Sequence, residues 1–288
     1  MRRALIEKGS KGLFFLCSCL SIGAVALICF FIFYGAAPAI SEIGLFKFLF
    51  GSTWKPTNSP QEFGILYMMV GSLYVTAGAV LLGVPIGILA AVFMAKFCPK
   101  RLYPVLSQGI SLLAGIPSIV YGFFGMMILV PFIQKNFTGN GNSVLAASVV
   151  LAVMILPTVI SISENSIRAV PRSYDEGALA LGATREESVF RVIVPAARSG
   201  IVTSVILGIG RAVGETMAVV MVAGNSNILP DSIFKPVRTL TANIVMEMGY
   251  ASDLHYDALI ATGAVLFVFI LVLNMLLNLI TAKGVKAE

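Results

Sequence analysis

Residues 13 to 33 read LFFLCSCLSIGAVALICFFIF, and near the other end residues 258 to 280 read ALIATGAVLFVFILVLNMLLNLI. Neither stretch holds an Asp, Glu, Lys or Arg. Each supplies the roughly 20 apolar residues that a helix needs to cross a hydrocarbon core. Inside lipid every backbone amide must bond within its own segment or around a closed barrel, and these unalternated runs exclude barrel strands. The spans are therefore helices.

Working outward from these two runs, six spans are expected, over about 13 to 34, 66 to 95, 105 to 133, 143 to 163, 200 to 224 and 257 to 281. The first run is too long for a signal-peptide core and is kept as a mature span. Composition agrees: 58% of residues are hydrophobic and 12% charged, with mean hydropathy +0.93, whereas a soluble domain is about a quarter charged. The net charge of +6 does not imply nucleic acid, because the Lys and Arg lie in loops between apolar runs and build no aromatic-interleaved basic face. Lipid is the expected surrounding. Cys17, Cys19, Cys29 and Cys98 show no metal or disulfide spacing and read as buried packing thiols. His255 is the only histidine and makes no metal site by itself.

Six spans put both termini on one side. That side collects Arg2, Arg3, Lys8, Lys11, Lys96, Lys100, Arg101, Arg168, Arg172, Arg185, Arg191, Arg198, Lys283 and Lys286, against Lys47, Lys55, Lys135, Lys235 and Arg238 on the other. The positive-inside rule makes the first side cytoplasmic. Residues 35 to 64, with Pro38, Trp54, Pro56 and Pro60, form an extracytoplasmic spacer in which Trp54 reads as a headgroup-level anchor. Residues 225 to 256, with Lys235 and Arg238, are a second extracytoplasmic surface suited to a partner. The expected organisation is a first helix and extracytoplasmic segment over 1 to 65, a transmembrane domain over 66 to 281, and a short cytoplasmic tail over 282 to 288.

The cytoplasmic loop over 164 to 199 is far longer than a helix connection needs. Ser173 with Glu176 and Thr184 with Glu187 fit two capping boxes, and Gly182 fits a helix stop between them. Two short helices with a glycine bend are expected, the second ended by Pro195. Ala178 and Ala180 leave part of the first helix small, so that a groove on another protein can approach its backbone.

Arg211 falls near the middle of the fifth span, where an Arg costs at least about 2.5 to 3.5 kcal/mol and has to face the bundle interior or a wet cavity. Glu215, at i+4 of a continuous helix, is expected on the same face as its counter-charge. The pair reads either as a structural ion pair or as a weak anion waystation, with Gly208, Gly210 and Gly214 allowing close approach. Ser118 and Thr216 either offer hydroxyls to the same route or bond their own helices. Pro85 and Pro117 each remove a backbone hydrogen bond and can bend their spans, which suits a gate or, the favoured reading, static packing.

The series Glu176-Gly-Ala178, then Gly182, then Val192-Ile-Val-Pro195 resembles the EAA loop of the type-1 permeases of ATP-binding-cassette (ABC) importers, with Gly177, Val192 and Val194 as departures. The blocks at 208 to 220 and 113 to 122, with the opening Phe48-Leu-Phe-Gly51, Trp54-Lys-Pro56 and Phe63-Gly-Ile-Leu66, are similar to phosphate importer permeases, in particular the PstC-type partner of that two-permease system. Tyr67, near which relatives often carry proline, is a further departure.

The resemblance implies an all-α MetI-like permease in a bacterial inner membrane, with Arg211, Glu215, Thr216 and Ser118 in the phosphate pathway. It implies coupling through Glu176, Gly177, Ala178, Gly182 and Pro195. It also implies a PstA-type second permease, a PstB-type ATPase dimer that uses ATP and Mg, and a PstS-type extracytoplasmic phosphate-binding protein. No cofactor on this chain is expected, and no Gly-x-x-x-x-Gly-Lys-Ser/Thr loop is present. An enzyme is not expected, since paired catalytic carboxylates, His-Glu-x-x-His and Gly-x-Ser-x-Gly are all missing. Two alternatives stay open: a permease for another oxyanion such as sulfate or molybdate, since Arg binds these nearly as readily, and an ion-coupled carrier using Glu215 as a proton relay.

Overall fold

Three wide, π-type helical turns, at Phe93–Phe97, Gly125–Leu129 and Val189–Ile193, show how this sequence bends its helices. Each ends at the residue before a proline: the N–H of Cys98, Val130 and Val194 donates to the carbonyl five residues back, and Pro99, Pro131 and Pro195 follow. A proline ring clashes with the carbonyl four residues earlier and donates nothing. Widening the preceding turn removes that conflict while the chain stays helical.

The computed structural model describes residues 2 to 137 and 139 to 286, with side chains from 10 to 276. Helix α1 covers Arg2–Ile43 and α2 Leu45–Phe50; a two-stranded antiparallel hairpin, β1 Trp54–Lys55 with β2 Glu62–Phe63, follows in the register Trp54 to Phe63. Next come α3 Leu66–Val92, prolonged by its wide turn, α4 Tyr103–Gly115, α5 Ser118–Phe124 and α6 Val130–Asn136. Then α7 Val144–Ala169, α8 Arg172–Ala180, α9 Arg185–Ser188, α10 Val194–Ala196, α11 Arg198–Gly214, α12 Met217–Val222, α13 Leu240–Glu247 and α14 Asp253–Lys286 complete the chain.

Among the described residues five helices have the length and apolarity to cross a membrane, and Arg198–Gly214 joins them as a sixth only when taken with Arg185–Ala196, from which it is bent by 68°. The six-span architecture is thus present, with two interruptions. The third span breaks at Ile116 and Pro117, which are extended, between α4 and α5. The fifth, expected as one helix over 200 to 224, breaks at Glu215 and Thr216 between α11 and α12. Of the tail expected over 282 to 288, residues through Lys286 continue α14 and the last two lie outside the described residues.

Helix α7 is the central post. Its flank receives α3 at glycines: a Cβ at Gly83 would stand 3.0 Å from the Ala152 carbonyl, and one at Gly87 2.7 Å from Val159. Gly208 of α11 meets the same Val159, and the Ser163 and Ser204 hydroxyls bond at 2.7 Å. Small residues let helices approach closely in a solvent where apolar burial gives no drive to associate. The upper turns of α1 pack on α14, where Gly35 faces Ile260 and Phe33 meets Phe267 edge to face. Below that contact α1 is bare, so Cys17 and Cys19 are exposed to the surroundings rather than buried as packing thiols.

Candidate functional site

The mid-membrane charges do not pair with each other. Helix α11 ends at Gly214, so Glu215 is not one helical turn beyond Arg211; it is extended, at φ −71° and ψ 134°. The expected Arg211–Glu215 ion pair is replaced by two separate solutions. Arg211 occupies the last turn of α11, where the free carbonyls favour a cation, while Glu215 Oε1 accepts the Ala218 N–H at 3.2 Å and caps α12, where an anion is favoured. Each charge is matched by a helix end.

Arg211 is exposed in the single chain, and Gly210 and Gly214 beside it have nothing within 4 Å of an added Cβ. The Tyr121 hydroxyl donates to the Leu113 carbonyl at 2.7 Å, closing the gap between α4 and α5. The two interrupted spans pack on each other just past their breaks: a Cβ at Gly122 would stand 2.8 Å from Ala218 Cα, and one at Gly125 2.9 Å from Val222.

Of the four residues expected in the pathway, Ser118 opens α5 and Thr216 precedes α12. The Thr216 hydroxyl bonds its own backbone at Gly214 O, 3.3 Å. Sequence reasoning missed a set of hydroxyls behind the break. Thr241 Oγ1 donates to Glu215 O at 3.0 Å, Thr239 and Thr241 are 3.1 Å apart, and Ser72 Oγ accepts the Leu240 N–H at 3.0 Å. With Thr76 they line a small cavity beside Glu215. A serine and a threonine four residues apart in an otherwise apolar span were the readable signal.

The helical hairpin α8–α9 lies against the wide turn that ends α3. Glu176 and Gly177 are exposed on α8 and Ala178 is half-buried. Gly182, at φ 89°, ends the helix: its N–H donates to Leu179 O and the Ala183 N–H to Ala178 O, the double bond that closes a helix at a left-handed residue. The Thr184–Glu187 capping box is formed, and the Thr184 backbone N–H followed by Arg191 holds the Glu187 carboxyl below the usual carboxylate range. The Ser173 box is not formed, because Pro171 is the N-cap and Ser173 lies inside the first turn of α8. Glu164 and Arg168, expected in the loop, belong to the last turns of α7. Pro195 lies in α10, one residue before the helix ends at Ala196.

A membrane bundle with two spans broken around a charged centre and a helical hairpin held at one end defines the class: an ABC importer permease of MetI-like fold. The chain belongs to the family described as binding-protein-dependent transport system inner membrane component, whose model matches residues 83–283. It is 40% identical to the probable ABC transporter permease protein YqgH of Bacillus subtilis, over 92% of this chain and 90% of that one. It is 37% identical to the phosphate transport system permease protein PstC of Mesorhizobium japonicum, over 86% and 80%. Among solved structures it is similar to a bacterial alginate ABC transporter, with TM-score 0.68 and 14% identity over 95% of both chains. The methionine transporter MetNI in an inward-facing form gives TM-score 0.56 and 22% identity over 77% of this chain and 97% of that one.

Proposed function

We propose that this chain is the PstC-type permease subunit of an ATP-driven importer of inorganic phosphate in a bacterial inner membrane. The observation that carries the reading is Arg211, a planar oxyanion donor exposed at a mid-membrane helix break and backed by open glycines. The PstC names of its relatives supply the solute. Arg211, Glu215, Thr216 and Ser118 line the pathway, whose other wall is a PstA-type permease covering the face that is open in the single chain.

The side bearing α8 and α9 is cytoplasmic, as are both termini. There Glu176, Gly177, Ala178, Gly182 and Pro195 belong to the surface that meets a PstB-type ATPase dimer, which binds ATP and Mg; this chain binds no cofactor. Leu181 supports this reading: it is 91% exposed at the tip of the hairpin, an apolar anchor suited to a pocket on a partner. A PstS-type protein delivers phosphate on the other side.

The test is uptake of labelled phosphate into proteoliposomes holding both permeases and the ATPase, with the binding protein outside. Uptake that needs internal ATP and resists excess sulfate and molybdate supports the reading. Uptake abolished by sulfate or molybdate assigns the permease to another oxyanion. Uptake driven by a proton gradient without the ATPase replaces it with a carrier.

A further inference from the structure

We propose that Arg185 is a positioning residue that clamps the end of α3 to the coupling hairpin, with Arg168 of α7 holding the same turn, so that hairpin displacement reaches the translocation break through α3 as well as through α11. The inference rests on the reading that α8 and α9 meet an ATPase, and it names a second transmission route from them.

The last carbonyls of a helix have no partner within it. In the wide turn that ends α3, Cys98 N–H takes Phe93 O at 2.8 Å and the chain then leaves at Pro99. Two of the remaining carbonyls are taken by arginines from other elements. Arg185, the first residue of α9, donates Nη2 to Lys96 O at 2.6 Å and lies over the Phe97 ring at 5.6 Å. Arg168, in the last turn of α7, donates Nη2 to Met94 O at 2.9 Å and Nε to Glu164 at 2.7 Å, with its guanidinium 4.5 Å over the Tyr103 ring. Cations at a helix C-terminus gain from the aligned peptide dipoles as well as from the bonds.

The hairpin grips the same turn elsewhere. Asp175 of α8 accepts the Ser188 hydroxyl at 2.6 Å and stands 3.9 Å from Lys96 Nζ. Val189 and Ile193 are buried with Ala91, Val92 and Met94. A rigid-body movement of α8 and α9 therefore pulls on the end of α3.

At its far end α3 carries Ser72 and Thr76, about 36 and 30 Å from Lys96 at 1.5 Å per residue. Ser72 holds Leu240 N–H, and the neighbouring Thr241 holds the Glu215 carbonyl. The path thus ends on the backbone of the same break that α11 reaches directly. Both strands of the route converge on Glu215.

The experiment uses the reconstituted complex of both permeases, ATPase and binding protein, measuring labelled phosphate uptake and ATP hydrolysis in the same vesicles. Arg185 is exposed, so Arg185→Ala leaves the bundle intact. The clamp predicts that the ATPase still copurifies and still hydrolyses ATP, while phosphate imported per ATP falls several-fold below the wild-type ratio. Arg185→Lys, which keeps a cationic donor, recovers most of the ratio. An unchanged ratio in Arg185→Ala overturns the clamp. Loss of ATPase copurification in Arg185→Ala also overturns it, by making Arg185 a docking residue, while the hairpin reading stands. The wild-type arm tests that reading separately, because hydrolysis by the wild-type complex without phosphate uptake defeats it whatever Arg185 does.

Discussion

The indole N–H of Trp54 donates to the Glu247 carboxylate at 2.7 Å across 193 residues of sequence. The same carboxylate accepts Arg238 Nη1 at 2.7 Å and sits 2.9 Å from His255 Nε2, and Arg238 also bonds Asn243 and the Asn225 carbonyl. Trp54 is 6% exposed, so it is an internal strut and not the headgroup anchor its position suggested. Arg238 likewise points inward and is no part of a docking surface. The network ties the β1–β2 hairpin to α13, α14 and the loop leaving α12. Trp54→Phe keeps the ring and removes the donor, and a hydrogen bond to a charged group contributes about 1.5–3 kcal/mol. A lower melting temperature for Trp54→Phe in lipid nanodiscs is expected; an unchanged one contradicts the role given to this bond.

Gly122 decides how closely the two broken spans approach. An added Cβ would press on Ala218 Cα, and overpacking of this kind costs about 1–3 kcal/mol. Gly122→Ala is expected to lower phosphate uptake at matched expression. Gly109→Ala, where nothing lies within 4 Å in this chain, serves as the comparison, and equal uptake in the two variants removes the constraint.

Leu181 is the apolar tip of the α8–α9 hairpin. Leu181→Asp is expected to reduce ATPase copurification strongly while the permease keeps its melting temperature, because no contact inside this chain holds a side chain 91% exposed. Full copurification assigns docking to other residues of α8 and α9.

The capping box at Thr184 makes α9 sensitive to acid. The Glu187 carboxyl is lowered first by the Thr184 backbone N–H and then by Arg191. A group lowered on folding contributes fully above its ordinary value, and that contribution is lost as pH falls through the lowered one. Hydrogen exchange across residues 184 to 188 is therefore expected to be protected at neutral pH and to lose protection, after correction for intrinsic rates, below the ordinary carboxylate range. Glu187→Ala is expected to remove the protection at neutral pH; protection equal to wild type would show that the box does not hold α9.

The apolar spans and the α8–α9 helical hairpin were legible because apolar length and glycine or capping chemistry are local properties. Gly182 and the Thr184–Glu187 box act within one turn of chain. The break between α11 and α12 was not, since Arg211 and Glu215 at i+4 suit a continuous helix, and only α12 and the hydroxyls of α13 make the break preferable. Ser173 lost its capping role to Pro171 two residues earlier. Trp54, Glu247 and His255 meet only after the chain has folded back over itself, which no spacing rule records.

The central claim is that Arg211 serves passage of the anion. The direct measurement is labelled phosphate uptake by cells carrying the full importer, wild type against Arg211→Gln, at matched membrane expression and with ATPase copurification checked. The account predicts that uptake collapses while the ATPase remains bound. Unchanged uptake would make Arg211 a structural residue at a helix end and contradict the pathway placed here.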